Sequence, residues 1–381
     1  MKVSHTLAFV SLATAAVLPR TNSKSPKALY FLENDPAGAN IVSLGVSANG
    51  ALGNPVRTST GGKGLIGVNA MGPAPMDTLF SQDAVVVSGN HLLTVNPGSN
   101  SISLFSIPPH DASHPVLIAN VPSGGEFPNT MAYSSELNLA CVANSGAVNT
   151  VQCFDVTEQG LTPNCEAMPL PLVNQTTPPL GPANTASDVV FHPRGTAVFV
   201  SVKGTGAAGA PGYIYAYPVV GGRVQSAPRV SRPAELGTDF SFSFLDREGA
   251  RAFVTDPGFG GAFVEIGCSL DVRVTQTVNV TGQTATCWGQ YDEVRDEVLI
   301  FDGGSPDIVT LDAATMAMEK KLMGPAAAMG KFDSVVAGDR LWTLDAANSI
   351  TAYHLGTGNV LQTFDLSVVG ERQFWQGLAV Y

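Results

Sequence analysis

One unit recurs seven times along the chain: a short apolar strand, a turn rich in Asn, Asp or Gly, and a second apolar strand. The copies occupy 28–34 with 40–44, 91–96 with 101–105, the hairpin 141–154, 197–202 with 213–217, 251–256 with 262–266, 297–302 with 307–311, and 340–345 with 349–353. Their spacing is irregular, roughly 45 to 60 residues, a range that suits propeller blades joined by loops of varied length. A polar residue closes most first strands, as in Asn96, Asp256, Asp302 and Asp345, which suits a turn built on an Asn or Asp side chain.

Most copies carry a further strand just upstream, such as 188–192, 239–243 and 333–337, and a less regular one downstream, such as 116–119 and 272–275. Four strands per unit make a propeller blade. The first copy lacks its upstream strand, and 376–381 at the end of the chain supplies one. The fold expected is therefore all-β: a seven-bladed β-propeller of four-stranded blades, closed by the C-terminal strand joining the N-terminal blade, which removes free sheet edges. A seven-hairpin solenoid or two sandwiches is the alternative, but a sandwich gives no reason for seven equal units.

Composition agrees with this and excludes other classes. The 381 residues include 40 Gly and 26 Pro, too much turn chemistry for a helical bundle, while 44% apolar residues are too many for disorder. The formal net charge of −11 opposes nucleic-acid binding, which requires a basic face. Lys2, the apolar run 6–16 and Ala13-Thr14-Ala15 read as an export signal, since the run is too short for a bilayer core of about 30 Å. Domains are expected at 1–16 (signal peptide), 17–27 (a short N-terminal segment) and 28–381 (one propeller). The product would be secreted, extracellular or cell-wall bound, monomeric, and without a membrane span.

Export makes disulfides expected. Cys141 and Cys153 fall opposite each other in a hairpin, Cys268 and Cys287 form the second candidate pair, and Cys165 is left over, with Cys153–Cys165 as a rival pairing. Asn174 and Asn279 head sequons for N-glycosylation. The run 204–209 matches G-x-G-x-x-G, but a turn and a strand follow it where a dinucleotide site needs a helix, so it reads as a blade loop and no cofactor is expected. His110 and His114 lie in a Pro-rich loop, G-x-S-x-G and H-E-x-x-H are absent, and no metal site is expected.

Aligning the upstream strands brings Asn129, Asp188, Asp239, Thr286, Asp333 and Gln376 to one mouth of the central channel. The set holds three carboxylates and no Lys or Arg. It suits either strand capping or a site for a sugar, a cation or a neutral lactone, and crowded carboxylates there would hold protons above their usual range.

The seven units, the closing strand and the phrase Val190-Phe191-His192-Pro193-Arg194-Gly195 resemble the 3-carboxymuconate cyclase and 6-phosphogluconolactonase family of seven-bladed propellers. With its export signal and its Cys141/Cys153 hairpin, the chain is most similar to secreted fungal glycoproteins described as carboxymuconate cyclase-like, some of them cell-wall antigens. The resemblance implies an acid/base pair at Asp188 and Asp256, where the family has His and Glu. It also places the substrate-binding arginines in 239–241 and 285–287, which contain none. A tricarboxylate or phosphate substrate needs a cationic clamp. Lost chemistry, or chemistry retargeted to an uncharged or sugar-derived ligand, is therefore the expectation. The alternative is a non-catalytic extracellular or wall-associated glycoprotein that binds a partner. Asp188 and Asp256 facing one void would favour the enzyme, and a channel plugged by Phe240, Trp288 or Trp375 the binder.

Overall fold

The computed structural model describes residues 25–381 apart from Gly206 and Ala208. The expected export signal over 1–16 and the segment 17–24 lie outside the described residues. The architecture is a seven-bladed propeller of four-stranded antiparallel blades. No helix among the described residues is long and apolar enough to cross a membrane.

Each blade runs outward from an inner strand at the axis. The inner strands are Trp375–Val380, Val85–Ser88, Pro128–Ser134, Ala186–Phe191, Phe242–Phe244, Thr286–Asp292 and Lys331–Ala337, for blades 1 to 7 in that order. The second strand of a blade is covered on both faces by the neighbouring blades and is apolar on both faces through its centre. Ala28–Glu33, Leu139–Asn144, Ala197–Val202 and Glu297–Asp302 are buried at every position. Outer strands such as Met318–Leu322 and Asn359–Asp365 are mostly exposed and charged or polar, which protects the sheet edge.

The ring closes as the sequence suggests. Leu29 pairs with Val380 and Glu33 with Trp375, and the Lys27 amide donates to the Tyr381 carbonyl at 2.6 Å. Without this strand, blade 1 would lose its inner edge and the core around Phe31, Trp342 and Trp375 would open.

Cys141 and Cys153 stand opposite each other in register and are joined. The second expected pair does not form: Cys268 is exposed, Cys287 is buried, and both are free, as is Cys165. Topology gives the reason. Cys268 follows the third strand of blade 5, Gly260–Ile266, at the face where inner strands end, whereas Cys287 begins the inner strand of blade 6 at the opposite face. Both sequon asparagines, Asn174 and Asn279, are exposed.

Candidate functional site at the upper channel mouth

The face where the inner strands begin is called the upper face here. The polar residues that close the second strands all arrive there, and their side chains anchor the loops. Asp302 accepts from the amides of Thr284, Ala285 and Gly304 at 2.7–3.0 Å. Asp345 accepts from Lys331 Nζ at 2.5 Å and from Ser349 and Thr351. Asp256 belongs to this series. Its two oxygens accept from the amides of Thr238 and Gly258, each at 2.8 Å.

The channel does not run open from face to face. After the outer strand Leu52–Ser59 the chain makes a small hairpin, Val68–Asn69 with Gly72–Pro73, and then enters the channel over 76–83. Four blades grip this plug. Gln376 Nε2 donates to the Met76 carbonyl at 2.6 Å, and Asn129 Nδ2 to the Leu79 carbonyl at 3.2 Å. Lys203 Nζ donates to the Phe80 carbonyl at 2.6 Å, the Gln82 amide to the Ser187 carbonyl at 2.9 Å, and the Gly289 amide to Gln82 Oε1 at 3.2 Å. Phe80 and Asp83 take the left-handed backbone conformation, at φ 58° and 59°. That conformation costs about 1–2 kcal/mol per residue and persists because the surrounding bonds hold it.

The aligned residues therefore serve the plug and the strand starts. Asn129 and Gln376 bind the plug directly. Thr286 Oγ1 donates to the Asp256 carbonyl at 3.2 Å, and Asp333 accepts from the Gly377 amide at 2.9 Å. Asp188 accepts from the Phe242 amide at 2.8 Å, and its other oxygen faces Asp83. Asp239 is packed so closely that a Cβ at position 212 would lie 1.5 Å from its Oδ1, so only glycine fits there. Asp188 and Asp256 are thus committed to separate partners and do not form an acid/base pair across a shared space.

Burial dominates the electrostatics. It raises the carboxyls of Asp188, Asp239 and Asp333 well above the usual range, and neighbouring carboxylates raise them further. Asp83, at the lower end of the plug, is pushed up to about 7 by burial. The expectation of a mouth without cations needs correction. Lys203 is 1% exposed, and burial lowers its ammonium to about 8 against the opposing pull of Asp77 and Asp239. Arg372, also buried, is lowered to about 10 by the same desolvation. Its Nε donates to the Asp345 carbonyl and its Nη1 to the Trp375 carbonyl, the latter at 2.9 Å.

Above the plug lies a cavity of ≈ 400 Å³ walled by Phe80, Phe240, Trp288 and Phe332, with Asp77 and Lys203 at its polar end. Three of the rings form a continuous cluster of edge-to-face and tilted contacts. Phe240 and Trp288 are 5.2 Å apart and Trp288 and Phe332 4.6 Å, with Lys203 lying 4.8 Å over Phe240 and Arg372 4.8 Å over Phe332. Two polar atoms of the cavity-lining residues are buried without a protein partner: the donor Trp288 Nε1 and the acceptor Asp77 Oδ1.

Sequence reasoning passed over Asp77, Lys203 and Arg372. Asp77 lies in a segment with no strand periodicity. Lys203 had a signal. The fourth copy alone closes its strand with apolar Val202 and places a cation immediately after it.

The sequence matches no protein-family model and no curated protein. Solved structures share the fold. A periplasmic gluconolactonase of Pseudomonas aeruginosa superposes with a TM-score of 0.64 at 13% identity, covering 93% of this chain and 99% of that one. A candidate 6-phosphogluconolactonase of Bacteroides fragilis gives 0.61 at 11%, covering 95% and 100%. A functionally unknown protein of Desulfotomaculum acetoxidans gives 0.64 at 10%, covering 93% and 99%. At these identities the likeness establishes a lactonase-like propeller fold and nothing about chemistry.

Proposed function

We propose that this protein is an exported, glycosylated propeller of lactonase-like fold that binds a neutral, ring-bearing small molecule in the upper cavity, a lactone or a sugar-derived ring, with the lactonising chemistry at the Asp188 and Asp256 positions lost. The observation that carries this reading is the cavity itself: an aromatic-walled space with one buried unmet donor and one buried unmet acceptor among its lining residues. A ring packed on Trp288 would offer a carbonyl or ring oxygen to Nε1 and a hydroxyl to Asp77.

A multiply charged ligand suits the cavity less well. Lys203 already serves two carbonyls and offsets Asp77 and Asp239, and Arg372 serves two more carbonyls. A tricarboxylate would meet these carboxylates with Lys203 as the one cation among the described residues lining the cavity to offset its desolvation. The plugged channel, with Phe240, Trp288 and Trp375 buried around it, favours binding over turnover. A thermal-shift panel of neutral lactones, sugars and carboxymuconate tests this, because a ligand that binds only the folded state raises Tm. Neutral rings should raise Tm, and Trp288→Phe, which keeps a ring but removes the donor, should weaken binding about tenfold. Turnover of carboxymuconate that disappears in Asp188→Asn or Asp256→Asn would overturn the reading.

A further inference from the structure

Two lysines are buried among the described residues, and they are held differently. Lys331 Nζ bonds to the Asp345 carboxylate at 2.5 Å, with both side chains fully covered. Lys203, 1% exposed, gives its bonds to carbonyls instead: Nζ donates to the Phe80 carbonyl at 2.6 Å and to the Ala186 carbonyl at 3.3 Å. It is also the one cation among the described residues lining the upper cavity, where Asp77 Oδ1 is buried and unpartnered. The ammonium that acts most strongly on Asp77 is thus spent on carbonyls, and both groups line a space walled by Phe80, Phe240, Trp288 and Phe332.

Two carbonyls occupy two N–H groups. A neutral amine has two, with a lone pair in the remaining direction, so Lys203 can keep both bonds when it loses a proton. Burial favours that loss. It lowers the ammonium to about 8, against the opposing pull of Asp77 on the plug, Asp239 and Asp188 from blades 5 and 4, and Cys287 from blade 6. Burial also raises Asp77 to about 6, against the pull of Lys203 and Arg372. A desolvated amine that shares an aromatic cavity with a proton-holding carboxyl is a nucleophile supplied with an acid.

We propose that the upper cavity captures an aldehyde, such as the open-chain form of a reducing sugar, as a reversible Schiff base on Lys203. This rests on the reading of the upper cavity as a ligand site and specifies the carbonyl that the ligand brings. The nitrogen adds to the carbonyl carbon. The carbonyl oxygen takes one proton from that nitrogen and one from the Asp77 carboxyl and leaves as water, so a C=N bond replaces the C=O bond. The iminium product keeps one N–H for the Phe80 carbonyl, gives up the longer bond to the Ala186 carbonyl, and is balanced by the Asp77 carboxylate. The aromatic wall covers the ring or chain that carries the carbonyl.

The test treats the full chain with benzaldehyde and sodium cyanoborohydride, which fixes the imine as a benzylamine, and maps the labelled peptides by mass. Near pH 7 an amine that titrates near 8 is neutral about 300 times more often than one at the ordinary 10.5. Lys203 should therefore be labelled at least about tenfold faster than the exposed Lys27, Lys63, Lys320 and Lys321, while Lys331, paired with Asp345, stays unlabelled. Its rate should peak between about pH 6 and pH 8, where Asp77 still holds a proton and Lys203 begins to lose one; the exposed lysines should keep gaining above that range. Lys203→Arg keeps the charge but forms no imine, and should lose the fast label. If that variant does not fold, the site and pH profile of labelling in the wild type still decide. Benzyl alcohol separates this proposal from the wider reading. A rise in Tm with benzyl alcohol, alongside an unlabelled Lys203, would leave the ring-binding cavity standing and overturn only the Schiff base. Fast labelling of Lys203 with no response to benzyl alcohol would support the Schiff base and count against the neutral-ring reading. Labelling of Lys203 no faster than of the exposed lysines, or fast labelling that persists in urea-unfolded protein, would likewise overturn the proposal.

Discussion

Asp83→Asn isolates the electrostatics of the plug. Asp83 is a half-buried carboxyl beside Asp188 and Asp333 at the lower end of the plug. Its folded-state value of about 7 lies above the ordinary 3.8. Between those two values the folded state holds a proton that the unfolded chain has lost. Stability therefore falls as pH rises through this window and levels off above about 7. At about 1.4 kcal/mol per tenfold change in proton affinity, the upper bound is about 4 kcal/mol. Relaxation of a partly solvated side chain reduces the expected effect to about 1–3 kcal/mol. Asparagine mimics the protonated form in size and cannot ionise. Urea unfolding near pH 4 should give similar stabilities for the two proteins, whereas near pH 8 the variant should be more stable by about 1–3 kcal/mol. The general self-repulsion of an acidic protein acts on both chains and cancels in the comparison. Parallel pH profiles for wild type and variant would refute the reasoning.

Other consequences follow from single contacts. Lys203→Met removes the bond to the Phe80 carbonyl and the positive charge beside Asp77 and Asp239, and should cost about 3–5 kcal/mol in urea unfolding. Asp256→Asn places an amide group against one of the two backbone donors it now accepts from, so it should lower stability by about 1–3 kcal/mol while leaving ligand binding in the upper cavity intact. Alkylation of the unfolded, unreduced protein should modify Cys165, Cys268 and Cys287 and spare Cys141 and Cys153, as read by mass; modification of Cys165 alone would restore the Cys268–Cys287 pairing.

The ring was legible because its evidence is periodic. Seven second strands have mainly apolar centres, since a neighbouring blade covers each face, and 376–381 had no place except beside 28–34. The Cys141–Cys153 register was equally local, because a hairpin fixes which residues face each other. Pairing Cys268 with Cys287 failed for the opposite reason. It joined residues by elimination, and the two lie at opposite faces.

The candidate site was legible only in part. Aligning strand starts gathered Asn129, Asp333 and Gln376 at one mouth, because equal positions in equal blades converge on the axis. What fills that mouth was hidden. The plug over 76–83 has neither strand nor helix periodicity, and its conformation depends on side chains from three blades and a backbone amide from a fourth. Asp256 was a catalytic candidate because the family resemblance placed an acid/base Glu at its position. Set beside Asp302 and Asp345 it is one of a repeated series of loop anchors, the turn-building role that the repeat itself suggested.

The upper cavity depends on the division of the channel by 76–83. Native-state amide hydrogen exchange tests that division directly. The amides of Gln82, bonded to the Ser187 carbonyl, and of Met131, bonded to the Asp83 carbonyl, should exchange as slowly as those of the inner strands, opening only with global unfolding. Exchange of the Gln82 amide at the rate of an exposed loop, while the inner strands stay protected, would show an open channel and contradict the account.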